Sequence, residues 1–213
     1  MIGVLPLFLI TISTAFGQQD PEARRVLDAM SKKYQALDSF TATLVQTLSN
    51  TQEGLNETVT GSLAVKGDMF AIDLGAQAIA NDGEKVYVYL EEVNEITIDF
   101  YYPEEDDLNP SKLFDMYKSG FKYTMLPSET VNGKACHIID LIPENGAESQ
   151  FYRIRLAVDK NNLVLQRYTM FDRANTEYVF TLQDVKLNAP LPDSKFRMNT
   201  TTHPGATITD FTN

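Results

Sequence analysis

The chain has one cysteine, two histidines and no tryptophan in 213 residues. A single cysteine, Cys136, excludes an internal disulfide, so the fold must be held by its core. Two histidines, His137 and His203, make no multi-histidine metal set, and neither has a cysteine partner at ligand spacing. His137 follows Cys136 on what reads as a strand, where neighbours point to opposite faces. Basic residues are also scarce: 18 Lys and Arg against 29 Asp and Glu leave a net charge of −11. Phosphate backbones need clustered cations, so nucleic acid is excluded as a partner, as is charge-driven docking on an anionic membrane. No GxSxG, P-loop or GxGxxG motif occurs. Asp82, Glu95 and Asp99 are the only carboxylates worth weighing for glycoside hydrolysis, and a turn already accounts for Asp82. The acidic run at 103–108 (PEEDDL) lacks calcium-loop spacing and reads as a solvated loop. The expectation is a protein that is no enzyme and uses no cofactor and no metal.

Hydrophobic residues make up 43% of the chain, enough for one sizeable core. Residues 1–17 contain no charged side chain and end in small residues. That layout predicts a cleaved secretory signal, although no Lys or Arg follows Met1, and leaves 18–213 as a single domain. Asp20, Pro21 and Glu22 give the N-cap, N1 and first-turn signature of a helix. Val26, Leu27, Met30, Tyr34 and Leu37 then form an apolar stripe that ends near Asp38. Such a stripe serves either as core against a sheet or as part of a movable lid.

From Phe40 the period becomes two. Runs at 40–48, 58–66, 69–74, 77–90 and 93–102 alternate in the manner of strands, with β-branched residues enriched. At 77–89 (QAIANDGEKVYVY) an Asp82-Gly83 pair predicts a type I′ hairpin turn. Asn109-Pro110 starts a short helix carrying Leu113, Phe114 and Tyr117, which Gly120 ends. Strands resume at Phe121, turn at Asn132-Gly133, and continue through 151–158, 163–171 and 176–187. The strand at 136–142 is apolar on both faces, which predicts cover on both sides. Roughly eleven strands without βαβ alternation predict a mainly β, α+β fold: a strongly curved antiparallel sheet, or incomplete barrel, under a helical lid. Such a sheet encloses space for a hydrophobic guest. Strand parity and the short helix nominate Phe40, Leu44, Leu63, Val65, Phe70, Ile72, Ile96, Ile98, Phe100, Leu113, Phe114, Tyr117 and Tyr123 as its lining. A slip of one residue would exchange any strand's set with its opposite face.

In order and spacing, several segments resemble the LolA-like periplasmic carriers of outer-membrane lipoproteins. They are an amphipathic helix leading into SFTATLVQTL (39–48), GSLAVKGDMF (61–70), QAIANDGEKVYVY, NEITI (94–98), the PSKLF helix, GFKY (120–123) and the terminal HPG. The resemblance implies a lidded incomplete barrel and a soluble, monomeric periplasmic protein. Its guests would be the acyl chains of lipoproteins, taken from an inner-membrane lipoprotein-releasing transporter and passed to an outer-membrane acceptor. A related lipid carrier or envelope-stress-sensing module on the same fold is the alternative. Where the family carries an Arg-Pro pair whose arginine holds the lid closed, this chain has Gly67 and Asp68, so the fold and guest class transfer more safely than the latch.

Overall fold

The computed structural model describes residues 19–102, 109–110, 112–147 and 149–212. The apolar leader at 1–17 and the acidic run at 103–108 lie outside them. Helix α1 (Pro21–Gln35) leads into β1 (Phe40–Asn50), β2 (Leu55–Lys66), β3 (Met69–Asp73), β4 (Gln77–Asn81), β5 (Lys85–Leu90) and β6 (Glu95–Phe100). Two 3₁₀ turns, Lys112–Phe114 and Met116–Lys118, stand where the sequence predicts a short helix. The chain continues through β7 (Phe121–Val131), β8 (Lys134–Pro143), β9 (Phe151–Asp159), β10 (Leu165–Asp172) and β11 (Glu177–Leu187) to β12 (Thr207–Asp210). All twelve strands join one unclosed sheet in the order β12, β6, β5, β4, β3, β2, β1, β11, β10, β9, β8, β7. Every pairing is antiparallel except that of β12 with β6, which is parallel and brings the tail back as an edge strand.

The main core shows how far this sheet curls. Phe70 on β3 and Tyr123 on β7 belong to one apolar cluster with α1. Seven strand spacings separate β3 from β7, roughly 34 Å if the sheet were flat. A flat sheet would hold these two strands too far apart to share one core beneath a helix about 10 Å across. The sheet must therefore wrap around α1, which lies on its concave side.

Each face follows from the pairing. Leu63, Ile72, Ile79 and Val88 stand opposite one another across β2 to β5 and face inward. The intervening row, Ala64, Ala71, Ala80, Tyr87 and Ile98, faces outward. There a second cluster forms from Ala78, Ala80, Tyr87, Ile96 and Ile98 beneath Met198 and Ala206 of the tail. The strand expected to be covered on both sides is so covered: Ile139 and Leu141 of β8 enter the main core, while Cys136 and Ile138 pack outward with Val131 and Ala157.

The two hairpin turns differ from each other. Asn132 and Gly133 both have positive φ, +51° and +71°, as type I′ requires. In the 77–89 hairpin Asp82 N–H donates to the Lys85 carbonyl, so the central residues are Gly83 and Glu84. Gly83 has φ +94° and Glu84 has none in the left-handed region, a type II′ pattern one residue beyond the expected turn. Asp82 is released for other work. Its carboxylate accepts from the backbone N–H groups of Glu84 and Lys85, from the Tyr87 hydroxyl and from Arg197 Nε at 2.8 Å, tying the tail to the hairpin. Burial, followed by the bond to Asp82, pushes the Tyr87 hydroxyl up to about 12, so it stays a donor.

Candidate functional site

The concave face is covered by two pieces that hold each other. Ala23, Val26, Leu27, Met30 and Tyr34 of α1 are all buried against the sheet. The 3₁₀ turns add Phe114 and Tyr117, also buried. Tyr34 stacks on Phe114 with ring centroids 3.5 Å apart, and Phe40 meets both rings edge-on at 5.4 and 5.8 Å. Polar bonds join the same pieces: Tyr117 Oη donates to Asp28 at 2.6 Å, Ser31 Oγ to Asp115 at 2.5 Å and Gln35 Nε2 to Asp115 at 2.8 Å. Burial pushes Asp115 up, but bonds from Lys118, Ser31 and Gln35 outweigh it and hold the carboxyl below its ordinary value. Asp115 thus remains an acceptor, and α1 and the 3₁₀ turns form one cover.

This cover is pinned to the sheet at few points. The Tyr34 hydroxyl accepts the Leu165 N–H at 3.1 Å, at the bulge that opens β10. At the other end of α1, Asp20 does two jobs. Its Oδ1 caps the helix through the N–H groups of Glu22 and Ala23, and its Oδ2 accepts the Met125 N–H of edge strand β7 at 2.9 Å. Gln19 bonds the same edge, donating to the Phe121 carbonyl and accepting from the Tyr123 N–H. These side chains occupy groups that an open edge would offer to another chain.

The bond from Met125, followed by that from Ala23, lowers the Asp20 carboxyl below its ordinary value of 3.8. A lowered folded-state value means that this contribution to stability is complete above the unfolded value. It is lost as pH falls through the lowered one, so acid should free the N-terminus of α1 only below the ordinary carboxylate range. Asp20→Asn retains one capping oxygen but loses the bond to β7, and should cost about 1 kcal/mol; Asp20→Ala, losing both, should cost about 2 kcal/mol. Chemical denaturation at pH 7 checks the two values, and the gap between wild type and Asp20→Asn should close as pH falls through the lowered Asp20 value.

Ten of the thirteen nominated lining residues meet in the main core. Phe40, Leu44, Leu63, Val65, Phe70, Phe114, Tyr117 and Tyr123 are buried in it, and Ile72 and Leu113 pack against it. The structure separates the other three. Ile96 and Ile98 pair with Tyr89 and Tyr87, which puts them on the convex face in the second cluster, and Phe100 on the same strand is 48% exposed. The far half of the lining falls outside the nominated set: Ile139, Leu141, Ile154, Leu156, Tyr168 and Phe180 from β8 to β11. Its alternation is visible in the sequence, as in Ile154 and Leu156, but the side facing the helix is not.

Beneath the C-terminal end of α1 a cavity of about 200 Å³ remains. Its floor is Phe40, Val65 and Phe114, and Gln35, Asp68 and Asp115 stand around it. Gly67 and Asp68, the positions that depart from the Arg-Pro pair, are at this mouth. Gly67 has φ +57° and nothing within 4 Å of where a Cβ would stand, and as glycine it offers the cover no side chain. A second hollow of about 430 Å³, walled by Asp38, Ser39, Lys66 and residues 188–192, contains none of the nominated lining residues. Lys66 bridges it to the Leu191 carbonyl and to Asp193.

Among the described residues, no helix is long and apolar enough to cross a membrane. Across 199 residues the chain is 26% identical to an uncharacterized protein of Methanocaldococcus jannaschii, a match covering 91% of this chain and 56% of the relative. The chain therefore spans little more than half the length of that relative. Among solved structures, an uncharacterized conserved protein from Thermus thermophilus superposes with a TM-score of 0.57 at 12% identity, over 89% of this chain and 99% of the other. A LolA superfamily protein from Nitrosomonas europaea gives 0.44 at 15% identity, over 85% and 99%. At 12% identity the first superposition speaks to the fold alone, and the second, with a TM-score below 0.5, carries no argument. The family model described as outer membrane lipoprotein carrier protein LolA matches residues 35–199, from the end of α1 to the start of the tail that carries β12. By that match this chain belongs to the LolA family.

Proposed function

We propose that this chain binds the acyl chain of a lipid or lipoprotein between its cover and the concave face, and carries it without covalent chemistry. The observation that carries this reading is the apolar, aromatic concave face closed by a cover that few polar bonds pin to the sheet. Ligand pockets usually measure about 300–1,000 Å³. The free space here, about 200 Å³, is smaller, so a guest must displace part of the cover. The magnitudes allow that exchange. Five buried side chains of the cover (Val26, Leu27, Met30, Tyr34 and Phe114) are worth roughly 8–15 kcal/mol against the sheet. Burying an acyl chain of ~16 carbons returns about 12 kcal/mol. Neither state wins by a wide margin, which is what loading and release both require.

In its full form the reading is a monomeric periplasmic carrier that receives acylated lipoproteins from an inner-membrane releasing transporter and gives them to an outer-membrane acceptor. Membership of the LolA family supports it. Native mass spectrometry of the protein purified from its own host tests it. A one-to-one complex with an acylated protein is the expected result, a complex with free lipid alone would narrow the role to lipid binding, and turnover of an added ester would sink both.

A further inference from the structure

The convex face of β8 to β10 carries an arginine that is held by rings and one long ion pair, with a buried donor unmet among the described residues. Arg153 lies flat on Phe171, its guanidinium carbon 3.9 Å from the ring centroid, with Tyr152 at 5.6 Å. Asp140 is beside it but already engaged: Arg155 grips that carboxylate with both Nε and Nη2, at 2.7 and 2.9 Å. Arg153 Nη1 approaches Asp140 only to 3.8 Å, and its Nε is buried with no hydrogen-bond partner among the described residues. A guanidinium has five donors in a rigid fork, and leaving a buried one unmet is costly. A bulge adds to the arrangement. Arg153 pairs with Phe171 but Asp172 pairs with Phe151, so Tyr152 is the extra residue and turns outward beside Arg153. Tyr152 is 38% exposed, and Ile142, two residues from Asp140 along β8, is 40% exposed.

We propose that this patch is a docking surface for a protein segment that sets a carboxylate on the Nη1 and Nη2 edge of Arg153 and an apolar side chain against Tyr152 and Ile142. Stacking on Phe171 fixes the plane of the guanidinium, and a carboxylate matches its edge with two parallel bonds. Tyrosine and arginine beside exposed aliphatic surface is the composition of energetic centres in protein interfaces. A membrane fits less well. Anionic lipid surfaces hold clusters of four to eight cations. Here Arg153, Arg155 and Arg167 are set against Asp140 and Glu129, a surplus of one charge on a chain of net −11.

The test titrates the full-length protein, followed by NMR of arginine Nε–H and aromatic signals. Its probes are a blocked pentapeptide with one glutamate between leucines, the glutamine counterpart, inorganic phosphate, and vesicles containing phosphatidylglycerol. The glutamate peptide should shift the Arg153, Tyr152 and Phe171 signals saturably, and the glutamine peptide should bind at least about tenfold more weakly. Arg153→Gln should abolish the difference between the peptides; Phe171→Leu, which keeps the charge but removes the ring, should weaken the glutamate peptide several-fold. The proposal is overturned if the peptides bind equally, if neither binds, or if phosphate or vesicles alone produce the Arg153-dependent shifts. Because the patch is on the face opposite the cover, loss of acyl binding would leave these results unchanged.

Discussion

Replacing Gly61 with alanine should lower stability by about 3 kcal/mol, or roughly 10 °C in melting temperature, the largest effect expected of a Gly→Ala change among the described residues. Gly61 sits on β2 opposite Leu44 of β1, its side-chain position facing the concave side. A Cβ there would fall 1.9 Å from the Asp73 carbonyl oxygen and 2.9 Å from its carbon. Both are backbone atoms, held in place by the pairing of Ser62 with Asp73, so no side chain can turn aside to make room. Relief requires peeling β3 from β2. Gly67→Ala is the control. Its Cβ meets nothing within 4 Å and only the φ of +57° is strained, so about 1 kcal/mol is expected. Thermal melts of the two variants decide the matter, and equal losses would show that the close approach at Gly61 relaxes freely.

The second large effect belongs to the cover. Phe114→Ala removes the ring stacked on Tyr34 and the edge contact to Phe40, a loss of about 3–4 kcal/mol. Since the stack lies within the cover, the edge contact joins the cover to β1, and neither joins strand to strand, the loss should fall on the closed state of the cover. Each 1.4 kcal/mol is a factor of ten, so the open form should rise by roughly two to three orders of magnitude. Hydrogen exchange at the amides of α1 should quicken accordingly while β8 and β9 keep their protection, and uptake of a fluorescent fatty acid should speed up. Uniform loss of protection across α1, β8 and β9 would mean that the cover and sheet unfold as one unit.

What is legible in the sequence is the local chemistry. Asp20 before Pro21 marks the start of α1, and Asn132-Gly133 marks a type I′ turn, because both signals are complete within three or four residues. The 77–89 hairpin is where the sequence predicts it, but its turn lies one residue later. An Asp-Gly pair fits type I′, yet glycine at the first central position fits type II′ equally, and the choice falls to an Asp82 side chain that also serves Tyr87 and Arg197. The facing of β6 is illegible for a different reason. Ile96, Ile98 and Phe100 look like a cavity wall by alternation, and only the tail, about a hundred residues on, supplies the Met198 and Ala206 that cover Ile96 and Ile98 from the other side. Leu113 to Tyr117 carry the pattern of a helix, but they form two 3₁₀ turns whose geometry depends on Asp28, Ser31 and Gln35 of a distant element. Long-range cover, not local propensity, decides each departure.

A fatty acid carrying a paramagnetic doxyl group midway along its chain, titrated into methyl-labelled protein, tests the central claim most directly. If the acyl chain lies between α1 and the concave face, the methyl signals of Val26, Leu63, Ile139 and Leu156 should broaden away at one equivalent, while those of Ile96 and Ile98 on the convex side keep their intensity. Loss of the Ile96 and Ile98 signals with the concave set intact would contradict the account.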